Sequence, residues 1–341
     1  MCIEYKIMGK PGRDNALLAT VDTGQSLHRL LFDCGEGCLD GIPVAHRQDI
    51  EAVFFSHFHI DHIAGFDSLL RFNWCRPESP LRVFGPEGTI ELIYHRLQGF
   101  TWDLVEELPG EWHVSEIMDG ELRTSRFFTR EGFANEHPLD RASHDGIIYQ
   151  TNSFKVSTKA LSHSTTSLAY VVREHDRTNV DMAVVAELGL QPGPWLRMIK
   201  DSTVDQDSTV QIDGTDHRAG DLRDRLLTSS PGESVAYLTD FYLDGGDAED
   251  ELAEFLRGCQ TLICENNYAD GDLELARKNY HMTSSDVARL AHRVQPARLV
   301  LFHLSDRYTM PQWQEQLGQA RQHFAKTYWP TEWEDFKIEG E

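Results

Sequence analysis

Between residues 57 and 62 the chain reads His57-Phe-His59-Ile-Asp61-His62, four side chains able to bind a metal in six positions. Alternate residues of an extended segment point the same way, so His57 and His59 can hold one ion while Asp61 and His62 turn to a second. Imidazole with carboxylate suits Zn²⁺ best, with Mn²⁺ or Fe²⁺ as alternatives. Three histidines and an aspartate are too costly to bury together without a partner, which separates this run from an ordinary core or surface histidine. Ten other histidines, among them His28, His46, His95, His113 and His137, follow no ligand pattern.

Such a run needs rigid elements on both sides. Glu51-Ala-Val-Phe-Phe-Ser56 is a compact apolar stretch that predicts a buried strand, with the ligands on the loop at its C-terminal end. Ala64 to Phe72 has helical character, and Leu81-Arg-Val-Phe84 returns to strand. Upstream, IEYKIM, LLATVD and HRLLFD are strand-length apolar runs separated by turn residues. Strands resume at Phe154–Ser157 and Ser167–Val172.

The last third alternates strand and helix. Val235–Thr239, Thr261–Cys264 and Leu299–Phe302 read as strands. Asp247 is the expected N-cap of a helix carrying Leu252, Phe255 and Leu256 on one face. Thr283 with Asp286 forms a capping-box pattern ahead of Val287, Leu290, Ala291 and Val294. Pro311 suits the first turn of a final helix. Strands in both halves with helices between them predict two sheets inside and helices outside. Residues 101–150 read as irregular, and 174–233 as polar and turn-rich around Gln191-Pro-Gly-Pro194.

The whole chain has 341 residues and a net charge of −23, from 32 Lys and Arg against 55 Asp and Glu. No apolar run approaches the ~20 residues of a spanning helix, so no membrane partner is expected. The opening MCIEYKIMGK lacks a secretory apolar stretch, and the expected location is the cytoplasm. Six cysteines without a CxxC pair read as free, mostly buried thiols. Cys34 and Cys38 could in principle hold a metal, but no second Cys/His pair stands nearby. The acidity argues against non-specific grip on a phosphate backbone.

Several segments together resemble the metallo-β-lactamase superfamily and, within it, the ribonuclease Z (tRNA 3′-endonuclease) group. Leu31-Phe-Asp-Cys-Gly-Glu-Gly37 is similar to the family's LFDCGEG segment, in which Asp33 braces the metal loop. Ser56–His62 followed by Ile63-Ala-Gly65 resembles the metal loop and the turn into its helix. Ala160–Tyr170 resembles the stretch that gives the first metal a third histidine, here His163. Leu238-Thr-Asp240 resembles the strand end bearing the bridging aspartate, Asp240. Ile263-Cys-Glu-Asn266 and His281-Met-Thr283 resemble the HEAT-type and His-Ser-Thr elements, with Glu265 and His281 in the functional positions. Leu301-Phe-His-Leu-Ser-Asp-Arg-Tyr308 resembles the last segment, making His303 the final ligand of the second metal.

The resemblance implies a single αββα sandwich over residues 1–341, two Zn²⁺ per chain and a substrate arm near 174–200, while residues 101–150 stand out from it as an irregular acidic insertion. Its ligands are His57, His59, Asp61, His62, His163, Asp240 and His303. Two adjacent metals lower the pKa of a shared water towards neutrality. Asp61 then accepts a proton, while His281, oriented by Glu265, donates one to the departing oxygen. Arg307 is a candidate for neutralising a phosphate oxygen. The implied activity is removal of 3′ trailers from tRNA precursors by a homodimer. The alternatives are a small-molecule phosphodiesterase on the same scaffold and a metal-bound interaction protein without catalysis.

The sequence departs from the family pattern in places. Thr239-Asp240-Phe241 replaces Gly-Asp-Thr, and Cys264, Met282 and Ala169 replace the usual His, Ser and Gly. Residues 101–150 hold 4 basic against 11 acidic side chains, for −7. Residues 171–220, which include the expected arm, hold 5 against 9, for −4.

Overall fold

The computed structural model describes residues 2–337, which divide into two compact units, residues 2–173 with 233–337, and residues 174–232. In the larger unit, one sheet begins with Cys2–Gly9, Asn15–Asp22 and Leu27–Phe32 in antiparallel order. It continues in parallel through Ile50–Phe54, Leu81–Pro86 and Glu111–Met118. The second sheet runs from Ile147–Gln150 through Phe154–Ser162 and Thr166–Glu174 to Ser234–Leu238. Thr261–Glu265, Arg298–Phe302 and Thr327–Tyr328 then extend it in parallel.

Phe32, Phe54 and Phe84 of the first sheet share one apolar cluster with Tyr170, Tyr237 and Phe302 of the second. That cluster is the central layer. The outer face of the first sheet packs Val53 and Val114 against Phe66, Leu69 and Ile93 of its helices. The outer face of the second packs Leu262 and Leu299 against Leu252, Val287, Leu290 and Leu317. Strands buried on both faces read as continuous apolar runs, which is why Ile50–Phe54 and Leu299–Phe302 stand out in the sequence. The αββα order expected from the sequence is the observed one.

Local signals behave as their chemistry demands. Thr283 and Asp286 close a reciprocal capping box on helix Ser284–Val294, and Pro311 lies in the first turn of helix Met310–His323. Asp247 is not a cap: Gly246 takes that position, and Asp247 supplies negative charge to the first turn. Residues 101–150 are more ordered than their composition suggests. Glu111–Met118 and Glu121–Phe128 form a hairpin whose edge is lined with charged pairs such as Arg123 with Glu136. Charges on the exposed face of an outer hairpin hide its two-residue period and also discourage edge-to-edge pairing.

Residues 174–232 form their own small unit. Strand Arg177–Val180 pairs with Leu227–Ser230, and Thr209–Ile212 with Thr215–Arg218. Three short helices close a core of Val185, Trp195, Ile199, Val210, Ile212, Ala219, Leu222 and Leu226. Trp195 anchors the Gly/Pro turn by donating its indole N–H to the Gln191 carbonyl at 2.9 Å. The folded unit thus reaches well past residue 200, through Asp- and Gly-rich sequence that hides its hairpin.

Candidate metal centre

The ligand loop begins where strand Ile50–Phe54 ends, and two close backbone approaches set its path. A Cβ on Gly35 would stand 2.5 Å from the Asp61 carbonyl, and one on Gly65 would stand 2.2 Å from the Gly35 carbonyl. Only glycine fits either place. Other strand ends deliver Asp240, Glu265 and His303. Of the eight non-glycine residues with positive φ among the described residues, four belong to this region: Asp33, Asp240, Tyr280 and His303. Such backbone strain gathers where surrounding structure holds a functional geometry.

Two groups of side chains result, and Asp240 belongs to both. His57, His59, His163 and Asp240 have ligand atoms within 4.8 Å of one another, as do Asp61, His62, Asp240 and His303. The Oδ2 of Asp240 lies 3.7 Å from His57 Nε2 and 3.8 Å from His163 Nε2. Its Oδ1 lies 3.5 Å from His62 Nε2 and 3.3 Å from His303 Nδ1. One carboxylate oxygen therefore faces each group. A tetrahedral ion with bonds of about 2.0–2.1 Å spaces its ligand atoms about 3.4 Å apart, close to these separations.

The donor set fits a metal on a second count. The Nε2 atoms of His57 and His62 are buried and have no hydrogen-bond partner. Their opposite nitrogens are engaged: His62 Nδ1 donates to Asp33 at 2.8 Å, and His57 Nδ1 lies 3.0 Å from the Ser56 hydroxyl. His163 Nδ1 donates to the Tyr280 carbonyl at 2.9 Å. These outer partners fix each tautomer and turn a lone pair inward. The two groups could each hold a metal ion. None of the candidate clusters among the described residues contains a cysteine.

Electrostatics distinguish the members. Burial, reinforced by His62, lowers the His57 pKa to about 2, and burial also lowers that of His163. Burial works against charge on His62, but Asp240 and Asp33 raise its pKa well above the usual value. His303 is likewise raised against burial, by Asp240 and Asp61. Burial would raise Asp61, yet the adjacent His303 and His62 imidazoles take it below the usual carboxylate range.

Glu265 and His281 form the neighbouring pair, with His281 Nδ1 donating to Glu265 Oε2 at 2.7 Å. The other Glu265 oxygen accepts from the Phe241 N–H at 2.8 Å, which locks the carboxylate in place. Burial disfavours the imidazolium, but Glu265 outweighs it and raises His281 to about 9. His281 Nε2 is 4.0 Å from Asp240 Oδ2. Arg307 is exposed, with its guanidinium 4.6 Å above the Tyr268 ring, and that ring lies 5.6 Å from His281. All ten site residues singled out from the sequence thus converge on one region.

Sequence reasoning named Asp33 as the brace of the metal loop but missed its partners and the other supporting contacts. Asp33 accepts from the Ser56 N–H and hydroxyl at 2.7 Å each, from His62, and from the Tyr237 hydroxyl at 2.8 Å. Asn267 contacts His303 Nδ1 at 3.2 Å. Tyr237 sits in a strand of five buried residues, where nothing in the sequence separates a hydrogen-bonding tyrosine from a packing one. The Tyr280 contact is made by a carbonyl, which no side-chain pattern reveals.

Comparison with known proteins agrees with this geometry. Residues 28–180 match the model of the β-lactamase superfamily domain. A ribonuclease Z of Deinococcus radiodurans is 39% identical over 327 residues, covering 96% of this chain and 97% of that protein. Among solved structures, the metallo-β-lactamase fold protein YhfI of Bacillus subtilis covers 96% of this chain and 95% of its own, at TM-score 0.54 and 16% identity. The short form of human tRNase Z covers 90% of this chain and 94% of its own, at TM-score 0.50 and 17% identity. These structures share the fold. With the sequence likeness spanning nearly its full length, the chain belongs to the ribonuclease Z family of the β-lactamase superfamily.

Proposed function

We propose that this protein is a metal-dependent endoribonuclease that removes 3′ trailers from tRNA precursors, working with two divalent ions, Zn²⁺ by preference and Mn²⁺ or Fe²⁺ as alternatives. The observation that carries the reading is Asp240, whose two carboxylate oxygens face two separate ligand groups. His57, His59 and His163 would complete one site, and Asp61, His62 and His303 the other. Bound there, the ions would supply Lewis-acid stabilisation of the phosphoryl oxygens and a water of lowered pKa.

The chain's own residues do the rest. Asp61, kept ionised by His303 and His62, accepts the proton of the attacking water. His281, kept protonated near neutral pH by Glu265, donates a proton to the departing 3′-oxygen. Arg307, exposed beside Tyr268, neutralises a non-bridging phosphate oxygen. The products are a 3′-hydroxyl on the tRNA and a 5′-phosphate on the trailer.

The unit 174–232 is the substrate arm in this reading, within a single hydrolase domain. Family membership supports a cytoplasmic homodimer, which light scattering of the purified protein tests. No helix of the described residues is long and apolar enough to cross a membrane.

The deciding experiment pairs elemental analysis with two substrates. The wild-type protein should carry about two metal ions and cut a 3′-extended tRNA precursor, while His57→Ala loses metal and cleavage together. Rapid hydrolysis of a small aryl phosphodiester with an uncut precursor would replace the RNA reading with a small-ester phosphodiesterase. Near-zero metal in an active protein would end the metal mechanism.

A further inference from the structure

We infer that Tyr280 is a stacking platform for a nucleobase flanking the scissile phosphate. The inference rests on the RNA substrate proposed above and assigns that substrate a contact.

Three observations meet at this residue. Its side chain is 43% exposed, an uncommon state for a large aromatic beside a buried polar centre. Its ring stands edge-on to His163, with centroids 6.5 Å apart at 83°, and the next residue is His281. Its backbone is left-handed, with φ of 58°. For a non-glycine residue that conformation costs roughly 1–2 kcal/mol.

The backbone role does not explain the side chain. Orienting His163 requires only the residue 280 carbonyl, which glycine would present without strain. Nor does packing explain it, because the ring is exposed. Tyr268 on the other side of His281 is a useful contrast. It is 2% exposed, covered by Arg307, and its hydroxyl accepts from Asn279 at 2.6 Å, so its ring is already occupied by the protein. Tyr280 alone of the pair offers an open aromatic surface. A phosphodiester of RNA always brings a base on either side of it, and single-stranded RNA ends are recognised by stacking unstacked bases on aromatic side chains.

The test is a cycle between protein and substrate. Stacking is worth about 1–3 kcal/mol per base, or roughly 5- to 150-fold. Tyr280→Gly should retain its metal and fold, since it relieves strain and preserves the carbonyl, yet lose about that factor in kcat/KM on a 3′-extended tRNA precursor. Tyr280→Phe should stay within about twofold of wild type. A precursor made abasic at one of the two nucleotides flanking the cut should slow the wild type similarly and add no further loss in Tyr280→Gly. Full activity of Tyr280→Gly, loss of its bound metal, or independent losses for both abasic positions would each overturn the inference. A wild-type protein unable to cut any precursor would instead overturn the RNA reading itself, and this contact with it.

Discussion

The two ligand groups share Asp240 but are built on opposite electrostatic principles. Around His57 and His163, burial dominates and keeps imidazoles neutral, ready to offer lone pairs. Around His62 and His303, carboxylates dominate and raise the imidazole pKa values against burial. The first group resembles an aperture framed by neutral donors. The second is a network of close imidazole–carboxylate contacts that favours positive charge. Both become metal sites on the reading above, and at the second the metal competes more strongly with protons for its ligands.

The comparison breaks most completely at the residue the groups share. Asp240→Asn keeps the volume and tolerates the positive φ of 48°, but withdraws the charge from both groups at once. Phosphodiester hydrolysis should fall at least about 10³-fold, and elemental analysis should find bound metal reduced at both sites. An unchanged metal content would show that the carboxylate serves only one group or neither.

Next in size is the acid beside the groups. With Glu265 removed by Glu265→Gln, the His281 imidazole loses the partner that raises it to about 9. The raised pKa means the proton stays on through neutrality and leaves as pH rises through about 9. The stability it contributes is full below the unfolded value near 6.5 and is lost on the same alkaline rise. Nuclear magnetic resonance titration of chelator-treated protein should place His281 near 9 in the wild type and at or below the ordinary histidine range in Glu265→Gln. Cleavage at neutral pH should drop about 10²-fold. A titration unmoved by the substitution would remove Glu265 from its orienting role.

The contrast in protonation has its own signature. In His163→Ala, which leaves the carboxylate-rich group intact, metal binding should release protons and affinity should rise with pH. In His303→Ala, which leaves the histidine-rich group, proton release should be distinctly smaller. Calorimetry in buffers of different ionisation enthalpy separates the two, and equal release would erase the distinction.

Much of this centre was legible because its ligands are concentrated. His57, His59, Asp61 and His62 occupy six positions, and their chemistry has few other uses. Asp240, Glu265 and His303 each follow a continuous apolar strand, a pattern that survives translation into sequence. What stayed hidden depends on atoms brought together from afar. Asp33 and Tyr237 are 204 positions apart, and only the packing of the two sheets makes them partners. The 111–128 hairpin was hidden for a different reason, since solvent-facing charges blur its alternation. The 174–232 unit has too small a core to mark its extent.

Tyr237 allows the finest cut between the groups. Its hydroxyl donates to Asp33, which accepts directly from His62 and reaches His57 only through the Ser56 hydroxyl, so its larger effect falls on the carboxylate-rich group. Tyr170 is an equally buried tyrosine in the same cluster, but its hydroxyl donates to the Phe55 carbonyl at 2.7 Å. Each phenylalanine variant removes one buried hydrogen bond and keeps the ring, costing about 1 kcal/mol of folding stability. Metal affinity should separate them. Tyr237→Phe should weaken the Asp61/His62/His303 site about tenfold and the His57/His59/His163 site, reached only through Ser56, less. Tyr170→Phe should leave both unchanged in competition with a chelator. If both variants weaken both sites equally, the hydroxyl of Tyr237 is stabilising the sandwich as a whole; a site-specific loss assigns it to holding Asp33, and through Asp33 the imidazole of His62.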